Sequence, residues 1–156
     1  LDGGSVLMVR EQTRTRQEET PDDEVAEGPP PKYFVDVKSP EAGNRSLALL
    51  VGTRRCYSCI QADEEGSLAP SDVRPNIKRI AKHCSLTSDY LLQDTPLKEA
   101  IFRVLLGGGN RPMTAEEISK VLSGAWAMTA YPRDVSTRVI QRLLDRSGAY
   151  CISAVP

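Results

Sequence analysis

Three stretches of helix-type periodicity near the C-terminus constrain the fold of this 156-residue chain more than any other feature. The first begins at Thr95, a residue suited to a helix N-cap, and ends at the glycines 107–109. The second opens with a capping box, in which Thr114 and Glu117 satisfy backbone N–H groups that a helix start leaves free. We predict that this second helix covers 115–122 and ends at the glycine two residues further on.

The third periodic stretch covers 134–147 and repeats apolar residues at three- and four-residue intervals. Gly148 follows it directly and is predicted to be its left-handed stop. Residues 149–155 are predicted to form a strand. Residues 95–156 therefore have the order of elements of a winged helix, a variant of the helix-turn-helix motif.

The third predicted helix carries a row of arginines. Arg138, Arg142 and Arg146 stand four residues apart, and Arg133 lies at the entrance of the helix. Because the guanidinium group offers a planar fork of donors that suits phosphate, we predict that these four residues bind nucleic acid. The alternative is a solvated or protein-binding face, on which neighbouring aspartates form weak surface pairs with the arginines.

Three segments within residues 95–155 carry a family resemblance: TPLKEAIFRVLL, RPMTAEEISKVL and RDVSTRVIQRLLDRSGAYCI. They resemble the winged-helix domain of the bacterial RNA polymerase delta subunit and of related chromatin and restriction proteins. The resemblance implies a non-catalytic protein that binds DNA or associates with a transcription complex. The alternative is an adaptor subunit of a larger assembly without direct nucleic-acid contact, because winged helices also dock proteins. In that family the wing has a second strand after the position of residue 155.

Cysteine spacing is the second informative feature of the chain. Cys56 and Cys59 are separated by two residues, and the only histidine, His83, stands next to Cys84. Because Zn²⁺ takes four sulfur or nitrogen ligands, these four residues predict a structural zinc site. The three cysteines are stronger candidates than His83, since adjacent helical residues point about 100° apart. Plain thiols, a redox pair and an iron–sulfur site are alternatives that the spacing leaves open.

The cysteine cluster falls in a segment that we predict to be a small separate module, residues 32–94. Its predicted elements are a β-hairpin of strands 33–37 and 47–51, a loop over 60–66 and an amphipathic helix over 75–84. The polar side of that helix is basic and is predicted to be a solvated face. A metal ion would staple the hairpin to the helix in a segment too small to build a large core.

An acidic segment precedes this module. Residues 1–31 hold eight acidic and three basic side chains, a net charge of −5, and close with three prolines. Few residues of this segment can form a core, so burial cannot offset the entropy of ordering it. We predict a largely disordered arm, which is either a linker or a contact for a basic partner. The loop around Trp126 is a second candidate protein contact.

Catalysis and membrane insertion find little support in the sequence. There is one histidine, and the triple glycine follows a helix instead of preceding one, where it would cradle a phosphate. No apolar run approaches the roughly 18 residues that a membrane-spanning helix needs. We predict a cytoplasmic α+β protein without catalytic residues or a small-molecule substrate. Its first residue is not Met, which is typical of a processed product or a fragment.

Overall fold

The computed structural model describes residues 28–38, 47–64, 73–146 and 148–156, and most of the predicted acidic arm lies outside them. This part of the chain has α+β structure, with helices around a small antiparallel sheet. The helices are Leu47–Gly52 (α1), Tyr57–Glu64 (α2), Val73–Lys82 (α3), Leu97–Gly107 (α4), Ala115–Ala125 (α5) and Thr137–Leu144 (α6). The strands are Lys32–Val35 (β1), Met113–Thr114 (β2) and Ile152–Ala154 (β3), and 3-10 turns cover Cys84–Leu86 and Gly148–Tyr150.

The strand β1 lies at the centre of the sheet, in the order β2-β1-β3. Tyr33 is paired with Met113 on one side and with Ala154 on the other, and both pairings are antiparallel. The strand therefore comes from the segment 32–94, whereas its two partners come from the segment 95–156. The sheet joins these two segments.

The predicted β-hairpin is wrong in its second strand. Leu47–Gly52 forms the helix α1, which contacts α3 and buries Leu47 and Val51. These two residues stand four apart, on one side of a helix, and a short apolar run does not by itself distinguish a strand from a helix. The predicted loop over 60–66 is also wrong in its first part, because α2 continues to Glu64.

The core is one continuous cluster that includes residues from every described strand and from all six helices. The helix α4 lies at its centre, in contact with α3, α5, α6 and β1. Its buried side chains are Ala100, Ile101, Phe102, Val104, Leu105 and Leu106. At 11 residues, α4 and α5 are the longest described helices, and no helix in this part of the chain is long and apolar enough to cross a bilayer.

The three C-terminal helices lie where the sequence predicts them, with different ends. The hydroxyl of Thr114 accepts a hydrogen bond from the backbone N–H of Glu117, as a capping box requires. The helix α5 passes Gly124 and ends at Ala125, and α6 is shorter than predicted at both ends. Gly148 begins a 3-10 turn, and the positive φ of this region is at Cys151 instead, at 56°.

Asn110 connects the end of α4 to the central strand. Its side-chain oxygen accepts from the N–H of Val35 at 2.7 Å, and its side-chain amide donates to the carbonyl of Val35 at 2.8 Å. Its φ is 60°, a left-handed value that asparagine tolerates better than most residues. The Asn110 side chain thus provides two hydrogen bonds to β1.

We expect Asn110→Ala to lower the free energy of unfolding by about 2–4 kcal/mol, because two backbone groups lose their partner and alanine is strained at this φ. Asn110→Gly loses the same hydrogen bonds without the strain, so its loss should be smaller by about 1 kcal/mol. Urea unfolding followed by circular dichroism measures both values. An alanine variant as stable as the unaltered protein would contradict this role.

Candidate metal centre

The four predicted metal ligands converge at one place. The sulfur atoms of Cys56, Cys59 and Cys84 and a ring nitrogen of His83 all lie within 4.8 Å of one another. The two halves of the cluster come from separate elements, the start of α2 and the chain that follows α3. The sequence prediction that these residues meet is confirmed.

The first half of the cluster is built by the start of α2. The carbonyl of Cys56 accepts hydrogen bonds from the N–H groups of Cys59, at 3.0 Å, and Ile60, at 3.1 Å. Cys56 therefore stands at the N-terminal end of the helix and Cys59 in its first turn. The free N–H groups at a helix start favour the thiolate form of a cysteine placed there.

The second half is built where α3 ends. The helix stops at Lys82, and His83 has φ −130° and ψ −62°, outside the helical region. Cys84 then begins a 3-10 turn. Adjacent side chains on a regular helix diverge, which made His83 the weaker candidate in the sequence. Because the helix breaks before His83, this divergence does not apply here. Its Nδ1 lies 3.3 Å from the Sγ of Cys56 and 3.5 Å from that of Cys59.

Three of the six distances between the candidate ligand atoms are close to those of a tetrahedral zinc site. Zinc bonds of about 2.3 Å to sulfur and about 2.0–2.1 Å to nitrogen place two sulfur ligands about 3.8 Å apart, and a sulfur and a nitrogen about 3.6 Å apart. The Sγ atoms of Cys59 and Cys84 are separated by 3.6 Å, and the two sulfur–nitrogen distances are 3.3 and 3.5 Å. All four cysteines are free thiols, so no disulfide competes for these atoms.

The thiols of the cluster differ in acidity. Partial burial raises the pKa of Cys56, but hydrogen bonding with Ser58 and with the backbone of Cys59 outweighs it and lowers the pKa to about 6. Burial raises the pKa of Cys84 to about 12. Cys84 therefore carries its proton at neutral pH unless a cation lies beside it. A bound divalent cation reverses this preference, because a coordinating thiol is deprotonated.

The predicted arginine row is only partly on one helix. Arg138 and Arg142 are exposed and stand four residues apart on α6, whose Ile140 and Leu144 are buried. Arg146 is exposed as well, but α6 ends at Leu144, so Arg146 lies in the following turn. The helical part of the row therefore consists of two arginines.

Arg133 lies in contacts within its own chain. Its guanidinium donates to the carbonyls of Gln93 and Thr95, and it lies 4.9 Å from the ring centroid of Trp126. Trp126 is itself only 7% exposed, and its ring N–H donates to the carbonyl of Leu91 at 3.1 Å. Through these contacts Arg133 stabilises the loop before α6, and it is not part of the exposed arginine row.

The loop between α5 and α6 was predicted from the sequence, around Trp126, as a candidate protein contact, and its exposed side chains are other than Trp126. Met128 is 98% exposed and Tyr131 88%, whereas Trp126 packs inward. The sequence marks this loop as rich in large side chains. Because a loop has no regular side-chain period, no spacing in it indicates which of them face outward.

Comparisons with known proteins found no relative of this chain. It matches no family model, and searches of curated proteins and of solved structures return no match. The fold and the site together define an α+β protein with a candidate Cys3His metal centre.

Proposed function

We propose that this protein is a non-catalytic DNA-binding protein of the winged-helix class, stabilised by a structural zinc ion. The observation that carries the proposal is the outer face of α6. Arg138 and Arg142 are exposed one helical turn apart, and the opposite side of the same helix is buried in the core. Two guanidinium groups at this spacing suit phosphate oxygens along a DNA backbone.

The order of elements supports the proposal. From α4 to β3 the chain runs helix, strand, helix, helix, strand, which is the order expected of a winged helix. In that arrangement α6 corresponds to the recognition helix. The strand β1 pairs with β3, in the position where a second wing strand is expected. This strand comes from the N-terminal side of α4, so the resemblance does not require a strand after residue 155.

The position of α6 on the protein is firmly determined. Ile140 and Leu144 anchor it in the core, and the hydroxyl of Ser119 on α5 donates to the carbonyl of Val135 just before it, at 2.6 Å. A binding face on a rigid element loses little conformational entropy when it meets its ligand. The net charge of +3 over residues 95–156 adds a favourable long-range attraction to DNA.

The zinc ion would have a structural role at α2. Within residues 57–62, Cys59 is the only buried side chain of this helix, so apolar packing contributes little to holding it. A metal ion shared with the end of α3 would attach α2 to the core. Four protein ligands leave no open position for a substrate, which is typical of structural zinc and not of catalytic zinc.

Salt dependence tests the DNA-binding proposal. With two or three phosphate contacts, we expect the affinity for a labelled duplex to fall about 10- to 40-fold between 50 and 200 mM salt. Fluorescence anisotropy at several salt concentrations measures the slope. Failure to bind duplex DNA at 50 mM salt would contradict the proposal and favour a protein adaptor.

The adaptor alternative has an observation of its own, the exposed Met128 and Tyr131. Large apolar side chains in a loop are common in protein interfaces. A pull-down from the source cell, with and without nuclease, distinguishes the two functions. Partners that are lost after nuclease treatment support DNA binding, and partners that are retained support the adaptor.

A further inference from the structure

A groove lies between α3 and the end of β1, and its lining includes none of the metal ligands and none of the arginines of α6. Its volume is about 680 Å³. Val37, Ile77 and Ala81 form an apolar floor, and a rim of basic side chains surrounds it: Lys38, Arg74, Lys78 and Lys82. The groove thus combines an apolar interior with a cationic edge.

The charge of this rim is poorly balanced. The helix α3 contains four basic residues and no acidic one. No carboxylate of the described residues lies within ion-pair distance of these side chains, whereas Arg54 and Arg103 both pair with Glu99. The single acidic residue of the lining, Asp36, accepts a hydrogen bond from the backbone N–H of Lys38.

We propose that this groove binds a short acidic peptide segment of a partner protein. Apolar side chains of the segment would occupy the floor, and its aspartates and glutamates would pair with the cations of the rim. This inference goes beyond the proposed function, which uses α6 and not α3. The expected partner segment therefore has two or three apolar residues flanked by acidic ones.

Size and polarity favour a peptide over nucleic acid. Cavities of about 300–1,000 Å³ hold a few side chains and are too small to take up a duplex. A duplex would use the rim through its phosphates but leave the apolar floor uncovered, because its bases are stacked in its interior and cannot enter the groove. Because β1 is flanked by β2 and β3, the peptide cannot add a strand to it, so recognition depends on side chains.

The walls of the groove are preorganised. Asn110 holds Val35 through two hydrogen bonds on one side, and Ile77 and Ile80 are buried and fix α3 on the other. A groove with fixed walls does not lose much conformational freedom when a ligand binds.

The test uses the full chain and a labelled ten-residue peptide with two central leucines flanked by four glutamates on each side. Fluorescence anisotropy should show saturable binding, and replacing both leucines by serine should weaken it about tenfold or more. Lys78→Glu with Lys82→Glu should also weaken it at least about tenfold. Arg111→Glu with Lys120→Glu makes the same charge change at exposed positions outside the groove and should leave binding within about twofold.

A second variant tests the floor without changing the charge. Ala81→Leu should fill the groove and weaken the leucine peptide about fivefold or more, with circular dichroism showing that the fold is retained. The comparison of the leucine and serine peptides uses the unaltered protein, so it tests the proposal even where a variant fails to fold. Equal binding of the leucine and serine peptides, tighter binding of single-stranded DNA, or absence of peptide binding would each overturn the proposal.

Discussion

Replacing Cys84 by serine is expected to release the metal and to destabilise the protein strongly. The purified protein should carry about one zinc ion per chain, and the variant close to none, because three ligands hold zinc far more weakly than four. Zinc present at about a thousand times its Kd stabilises a folded protein by about 4 kcal/mol. Its loss should lower the midpoint of thermal unfolding by about 10–20 °C.

Cys151→Ser provides the matched control for this prediction. Cys151 is also buried and unoxidised, but it lies outside the cluster. This variant should keep its zinc whatever its effect on stability. Native mass spectrometry before and after a chelator measures the metal, and circular dichroism measures the thermal midpoint. If the purified, unaltered protein has the mass of the metal-free chain and a chelator does not change its unfolding midpoint, the cluster does not hold zinc.

The same experiment separates the metal site from a redox pair. Cys56 at the start of α2 has the position and the lowered pKa of a reactive cysteine, and Cys59, after a two-residue spacer, stands where the resolving cysteine of such a pair lies. A Cys56–Cys59 redox pair does not need Cys84. Retained disulfide chemistry of these two residues in Cys84→Ser, with no metal in the unaltered protein, would favour the redox function.

The double variant Arg138→Glu with Arg142→Glu is expected to weaken duplex DNA binding strongly. It replaces two attractions to phosphate by two repulsions on the exposed face of α6, so affinity at 50 mM salt should fall by about 30-fold or more. The corresponding alanine variant removes the attractions without adding repulsions, so it should bind more weakly than the unaltered protein and more tightly than the glutamate variant, with a salt slope smaller by about two. Fluorescence anisotropy with a labelled duplex measures both effects.

The control for this prediction makes the same charge change on another helix. Lys78→Glu with Lys82→Glu lies on α3 and should change duplex affinity only by the small long-range effect of net charge, about threefold or less. A larger loss in the α3 variant than in the α6 variant would contradict the role of α6. It would also transfer the nucleic-acid contact to the groove and overturn the peptide proposal.

The C-terminal helices could be predicted from sequence because their signals are local. The hydrogen bond from Glu117 to Thr114 and the end of α4 at the glycines 107–109 depend on residues close together in the chain. The predicted ends of these helices were less accurate, since the final turn of a helix depends on what it packs against. The strand β2 was missed because two residues are too short to show a period.

The convergence of the metal ligands could be predicted only in part. A two-residue spacer places Cys56 and Cys59 on one side, and this is local. Whether His83 and Cys84 can both face them depends on the break after Lys82, which the sequence does not mark with glycine or proline. The prediction of the hairpin failed for a related reason, because the contact that buries Leu47 and Val51 is with α3, which lies far along the chain and leaves no local mark in the sequence.

From sequence alone one can derive the three C-terminal helices, the Cys56–Cys59 pair and the arginines of α6, because each depends on residues within a few turns of one another. The α+β class and the list of four candidate ligands follow from local patterns in separate segments, which do not show how those segments meet. The tertiary structure alone decides that β1 is the central strand of the sheet, that Arg133 turns inward while Met128 and Tyr131 face outward, and that α3 and β1 enclose a groove. These features depend on contacts between residues far apart in the chain, and their free energy exists only after the chain has closed into one core.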